Sequence, residues 1–173
     1  MACKVYGVKM NVNGIFSRYK VKIENNKIYD PIRNKYVHLT PGEIVRQKTI
    51  KFLMKRLEVP QNKIIVERRL DTLGVKDVRR RIDIGVLDEE DILMAVVECK
   101  ASLIGIEEAA HIQAQHYLQD LNTRYFFVTD GNIFLRYYYD TTQYIRLENI
   151  PQYKSWYYYP TKSPCLCAHS GSL

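Results

Sequence analysis

Apolar and polar positions first alternate along the chain, then fall into a helical stripe, then alternate again. Residues 4–10, 15–23 and 27–29 read as extended. They are separated by Asn11-Val12-Asn13-Gly14 and Glu24-Asn25-Asn26, whose Asn and Gly residues tolerate positive φ and favour turns. This pattern predicts an N-terminal β-meander over residues 1–30, closed by a polar link, Asp30-Pro31-Ile32-Arg33-Asn34. Thr40-Pro41-Gly42-Glu43 then opens a helix: Thr40 can cap, Pro41 suits the first helical position, and Glu43 stands where a capping-box carboxylate belongs. Ile44, Val45, Phe52, Leu53 and Leu57 form one stripe to about residue 58, and Pro60 ends it. Strands follow at 63–70, 81–87 and 93–100, with an irregular connector over 71–78 and a polar turn, Asp88-Glu89-Glu90-Asp91. The Ala-, Gln- and Glu-rich stretch 107–121 reads as helix. Strands at 124–129 and 133–139 flank the turn signal Asp130-Gly131-Asn132, and Tyr157-Tyr158-Tyr159 is a candidate late strand.

No repeat or linker divides the chain, so a single domain is expected. The meander of residues 1–30 would pack on a core domain of residues 31–160, with 161–173 as a flexible tail. The tail holds Cys165-Leu166-Cys167 and His169, but this is not Cys-x-x-Cys and no second ligand pair follows, so a frayed end is expected rather than a metal clip. The longest apolar run, from Ile92 to Val97, is far short of the ~20 residues of a membrane span. The start, Met1-Ala2-Cys3-Lys4-Val5, has no apolar signal core. A cytoplasmic protein without membrane partners is expected, and scattered cysteines agree.

Charge changes the picture. The net charge of +7 divides into +13 over residues 1–81 and −6 over the remainder. A basic half fits an anionic partner, nucleic acid first, with salt-dependent binding. Arg46 and the run Arg79-Arg80-Arg81 are the candidates for phosphate contact. No Gly-x-x-x-x-Gly-Lys-Ser/Thr occurs, so an ATP motor of the P-loop kind is not expected in this chain.

The strands 81–87 and 93–100 carry the candidate chemistry. If their turn is centred between Glu90 and Asp91, Leu87 faces Met94 and Asp83 faces Glu98. Opposed residues share a face. Asp83, Glu98 and Lys100 then gather on one face, with Ile82, Ile84, Val86, Ala95, Val97 and Cys99 on the other. Two carboxylates, with the Cys99 backbone carbonyl, make an oxygen donor set of the kind Mg²⁺ takes. The ammonium of Lys100 could orient water or stabilise developing charge during phosphodiester hydrolysis. An ion-pair ladder on a solvated face would place the same residues there, and pattern alone leaves both readings open.

Asp83 with Glu98-Cys99-Lys100 resembles the PD-(D/E)xK nuclease signature, without the Pro. Four blocks in order are more specific: Ile28-Tyr29-Asp30-Pro31-Ile32-Arg33, Leu39-Thr40-Pro41-Gly42-Glu43-Ile44-Val45-Arg46-Gln47, Arg81-Ile82-Asp83-Ile84 and Val97-Glu98-Cys99-Lys100-Ala101. From about residue 28 to 139 the chain resembles the N-terminal nuclease domain of type I restriction enzyme R subunits, above all its stand-alone relatives. The resemblance implies an α/β, restriction-endonuclease-like core with a central mixed β-sheet flanked by helices. It also implies DNA cleavage with Mg²⁺, for which Mn²⁺ can substitute. Asp83, Glu98 and Lys100 match the family's catalytic set, Asp83 and Glu98 its metal-binding acids, and Glu43 an acid on the first helix that approaches the metal. Gln113 and Tyr117 match an element associated with DNA positioning. Expected partners are DNA and restriction-system or motor subunits, with a homodimer left open. The contrasting expectation is a module of the same fold that binds DNA or a subunit without cutting.

Overall fold

The computed structural model describes residue 16 and residues 18–74, 80–100, 121 and 123–158. Its helix α1 spans Pro41–Arg56 and starts as its cap dictates. Thr40 is extended, with φ −131° and ψ 158°, and its Oγ1 accepts the Glu43 N–H at 3.1 Å. Glu58 turns the chain at φ 60° just before Pro60. Val45, Thr49, Ile50, Phe52 and Leu53 form the buried side of α1 together with Glu43 and Gln47.

Three short strands precede α1: β1 (Ile23–Glu24), β2 (Lys27–Asp30) and β3 (Lys35–His38), antiparallel in that order. Asn25 and Asn26, at φ 48° and 57°, make the first turn. Asp30 makes the second, its Oδ1 accepting the N–H groups of Ile32 and Arg33 at 2.8 and 2.9 Å. Among the described residues the meander therefore spans 23–38. A third strand follows the polar link, where the sequence predicted no element, and residues 18–22, expected in a strand, belong to none. The expected strand at 4–10 lies outside the described residues, as do nearly all of the expected helix at 107–121 and the tail.

The main sheet has six strands in the order β4 (Ile64–Arg69), β5 (Arg81–Leu87), β6 (Leu93–Cys99), β7 (Tyr125–Thr129), β8 (Phe134–Tyr139) and β9 (Tyr144–Arg146). All neighbours are antiparallel except β6 and β7, so the sheet is mixed and the fold α/β. Of the flanking helices expected, the described residues hold one, α1. Beneath it lies a cluster containing Ile50, Phe52, Leu53, Ile84, Val86, Ala95, Val97, Tyr125 and Phe127. A second cluster contains Leu70, Ile82, Val96, Phe126, Val128 and Leu135. Trp156, fully buried against Tyr125 and Phe127, belongs to the first cluster, and Tyr157 and Tyr158 lie in a turn rather than the expected late strand, whose Tyr159 is outside the described residues. Tyr137 and Tyr138 are core residues too, whereas Tyr158 is 85% exposed.

The β5–β6 ladder holds the expected register at Ile84–Val97, Gly85–Val96 and Val86–Ala95. It then shifts, so that Leu87 faces Leu93 and not Met94. The turn is the cause: Asp88 Oδ1 accepts the N–H groups of Glu90 and Ile92, and Asp91 adopts φ 63°. A second departure falls at Asp83. Ile82 sits in the second cluster rather than with Ile84, so the alternation breaks between them. In the β4–β5 ladder Val66 pairs Ile84 and Arg68 pairs Ile82, while Glu67, between them, takes φ 51°. A positive φ in a strand re-aims its neighbours.

Candidate active site

The break at Asp83 lies beside a cluster of buried and half-buried charged side chains from α1, β4 and β5. Arg46, one turn into α1, has a side chain only 11% exposed and reaches three carboxylates. Its Nη1 lies 2.6 Å from Glu43 Oε2. Its Nη2 lies 2.6 Å from both Glu67 Oε1 and Asp83 Oδ1. Burial opposes the Arg46 charge, but Asp83, Glu43 and Glu67 outweigh it and hold its pKa above the ordinary value. Glu43 Oε1 accepts further from Arg33 Nη2 at 3.1 Å and from Gln47 Nε2 at 2.8 Å. Arg33 in turn donates from Nε to the buried Asp30 at 2.6 Å. Arg81 Nη1 approaches Glu67 at 3.6 Å.

Asp83 also ties β5 to the segment Glu98-Cys99-Lys100. Its Oδ2 accepts the Cys99 N–H at 2.8 Å. Glu98 is 6% exposed, and its Oε2 lies 3.5 Å from Lys100 Nζ, whose side chain is 38% exposed. The Lys100 N–H donates to the Thr129 carbonyl at 2.8 Å, which anchors this segment to β7. The Cys99 thiol is driven well above its usual pKa, by burial first and by Asp83 next.

Glu43 and Asp83 meet through Arg46, and Asp83 meets β6 at the Cys99 backbone. Glu98 and Lys100 pair with each other. Arg46, expected toward phosphate, has its guanidinium turned onto carboxylates. Arg81 is exposed, and Arg80 is half-buried. Gln113, Tyr117 and Arg79 lie outside the described residues. Thr40 caps α1, yet the Glu43 carboxylate is engaged by Arg33, Arg46 and Gln47. Among the described residues no group of three or more His, Cys, Asp or Glu side chains is arranged to hold a metal ion. Glu67 is the residue that sequence reading missed. Its only signal is a charged triplet, Glu67-Arg68-Arg69, closing an otherwise apolar strand.

An α/β fold with a mixed sheet, with an Asp on β5 and Glu98 and Lys100 at the end of β6, is consistent with a nuclease-like fold. A model of the family described as type I restriction enzyme R protein N terminus matches residues 41–151. That match covers more than half of the chain, and the protein belongs to this family. No curated protein matches it. Among the described residues, no helix is long and apolar enough to cross a membrane.

Proposed function

We propose that the chain is a DNA nuclease domain that hydrolyses phosphodiester bonds with Mg²⁺ bound by Asp83, Glu98 and the Cys99 carbonyl. Family membership supports the nuclease-related part of this reading. The observation that carries the rest is the 2.8 Å hydrogen bond from the Cys99 N–H to Asp83, which sets the aspartate beside Glu98-Cys99-Lys100. These donors are hard oxygens of the kind Mg²⁺ prefers. Gln47, 1% exposed, adds a buried Oε1 without a hydrogen-bond partner, next to Glu43. A bound Mg²⁺ would supply Lewis acidity and a water of lowered pKa. Lys100, partly exposed and paired only loosely with Glu98, would present its ammonium to a phosphate oxygen or the attacking water. Arg80 and Arg81, at the start of β5, would contact the DNA backbone. The family also points to restriction-system subunits as partners, and a cytoplasmic location would go with that reading.

Incubation of the purified protein with supercoiled, linear and single-stranded DNA in Mg²⁺ or Mn²⁺ tests this. Lys100→Ala should lose about 100-fold or more in cleavage rate while keeping its DNA affinity and its Mn²⁺ binding by calorimetry. Asp83→Asn should lose both cleavage and metal. Cleavage by Lys100→Ala at the wild-type rate would place the reaction elsewhere. The grip of Arg46 on Asp83 favours a second reading, a DNA-binding module that does not cut. Salt-dependent DNA binding with no cleavage in any metal would select it.

A further inference from the structure

Arg46 is an unusual counter-ion, because one guanidinium serves three acids from three separate elements: Glu43 on α1, Glu67 on β4 and Asp83 on β5. Two of the acids converge on one atom, Nη2, at 2.6 Å each. A cation standing near Nη2 would therefore have two carboxylate oxygens within reach, with Glu43 close behind. Gln47 is a separate sign that the place suits a ligand. It bonds Glu43 through Nε2, and its Oε1 stays buried with no partner among the described residues. A buried acceptor without a donor costs free energy unless something fills the role. Arg46 itself keeps Nε buried and unpartnered, so the guanidinium meets the acids through Nη1 and Nη2 and leaves its third nitrogen unsatisfied.

We infer that Arg46 is a displaceable internal cation: its guanidinium and a divalent metal ion compete for Glu67, Asp83 and Glu43. The guanidinium is planar and holds its acids in its own plane around separate nitrogens. Mg²⁺ demands octahedral oxygen at about 2.0–2.1 Å. Both cannot be satisfied by the same carboxylates at once. Metal entry and release of Arg46 are then one event. Glu67 becomes a metal-facing acid, and Arg46 becomes free to turn toward phosphate. The inference rests on the nuclease reading of this site, but concerns what guards it rather than whether it cuts.

Calorimetric titration with Mn²⁺ separates the two. Arg46→Gln removes the competitor and should bind Mn²⁺ roughly tenfold or more tightly than wild type. Arg33→Gln removes a guanidinium from the same network without vacating Glu67 or Asp83, and should change affinity by less than about threefold. In thermal unfolding Arg46→Gln should start below wild type and gain more from saturating Mn²⁺ than wild type does, since ligand bound to the folded state stabilises it. If Arg46→Gln does not fold, Arg46→Lys tests the same point, as a single ammonium cannot span three carboxylates and should also raise Mn²⁺ affinity. Equal or weaker Mn²⁺ binding by these variants overturns the inference, as does an equal gain in Arg33→Gln. If that happens while Asp83→Ala still abolishes binding, the metal site survives and only the guard is lost. Absence of Mn²⁺ binding in wild type and all variants overturns both.

Discussion

At the scale of single residues, charge is spent on holding backbone and helix in place before it is available for chemistry. Asp30 is fully buried, and its Oδ1 closes the β2–β3 turn while its Oδ2 holds Arg33, which passes on to Glu43. Asp30→Ala should therefore cost about 3 kcal/mol in urea unfolding, since two turn N–H groups and a guanidinium lose their acceptor. Asp30→Asn should recover part of this by keeping Oδ1 for the turn. In the sequence Asp30 read as part of a polar link, because an Asp-Pro pair in a hydrophilic stretch carries no signal of burial. Glu43 was legible in kind, an acid at the head of a helix, but the sequence could not say whether its carboxylate would cap or reach across. The structure has Thr40 make the cap and Glu43 reach across. Arg46 was legible only as a basic residue. Its direction depends on Glu67, whose place opposite Asp83 is set by a ladder closed over the connector between β4 and β5.

Elements were read best where periodicity or a cap specifies them locally. Thr40 and Pro41 mark the start of α1, the paired strands 81–87 and 93–100 give most of their register, and Gly131 at φ 88° turns β7 into β8 as Asp130-Gly131-Asn132 announces. Period-two reasoning fails where the backbone leaves the extended region, at Glu67 and at Asp91, because it assumes that every residue flips the face. Strand β9 was missed: three residues, Tyr144–Arg146, carry too little pattern to stand out. Within β5 the packing is tight enough to test. A Cβ on Gly85 would lie 2.7 Å from Ile65 Cγ1 and 2.9 Å from both Ile82 Cδ1 and Leu93 Cδ1. Gly85→Ala should destabilise by about 1–3 kcal/mol, measured as a lower denaturation midpoint at unchanged m-value. Coupling to Ile82→Val, which removes one of the crowding methyls, should return part of that loss.

At the scale of the whole molecule, the sheet consists of two antiparallel ribbons, β4–β5–β6 and β7–β8–β9, joined by the single parallel pair β6–β7. Each ribbon is built from neighbours in sequence, whereas the join must bring Cys99 beside Thr129. Closing a long loop before any contact rewards it makes such a pairing late in folding. Val128→Ala, beside Glu98 in the parallel ladder, should chiefly speed unfolding, with a φ-value below about 0.3. Val86→Ala, inside the first ribbon, should slow folding, with a φ-value above about 0.5 by stopped-flow kinetics. The segment that ends in Lys100 lies on this seam, pinned to Thr129 by its own N–H. A chain still emerging from the ribosome, with β7 not yet made, would own Asp83, Glu98 and Lys100 but lack the Thr129 carbonyl that pins the Lys100 backbone. If the proposed cleavage is correct, competence would arrive only with the second ribbon, and the order of synthesis would itself keep an unfinished chain from cutting.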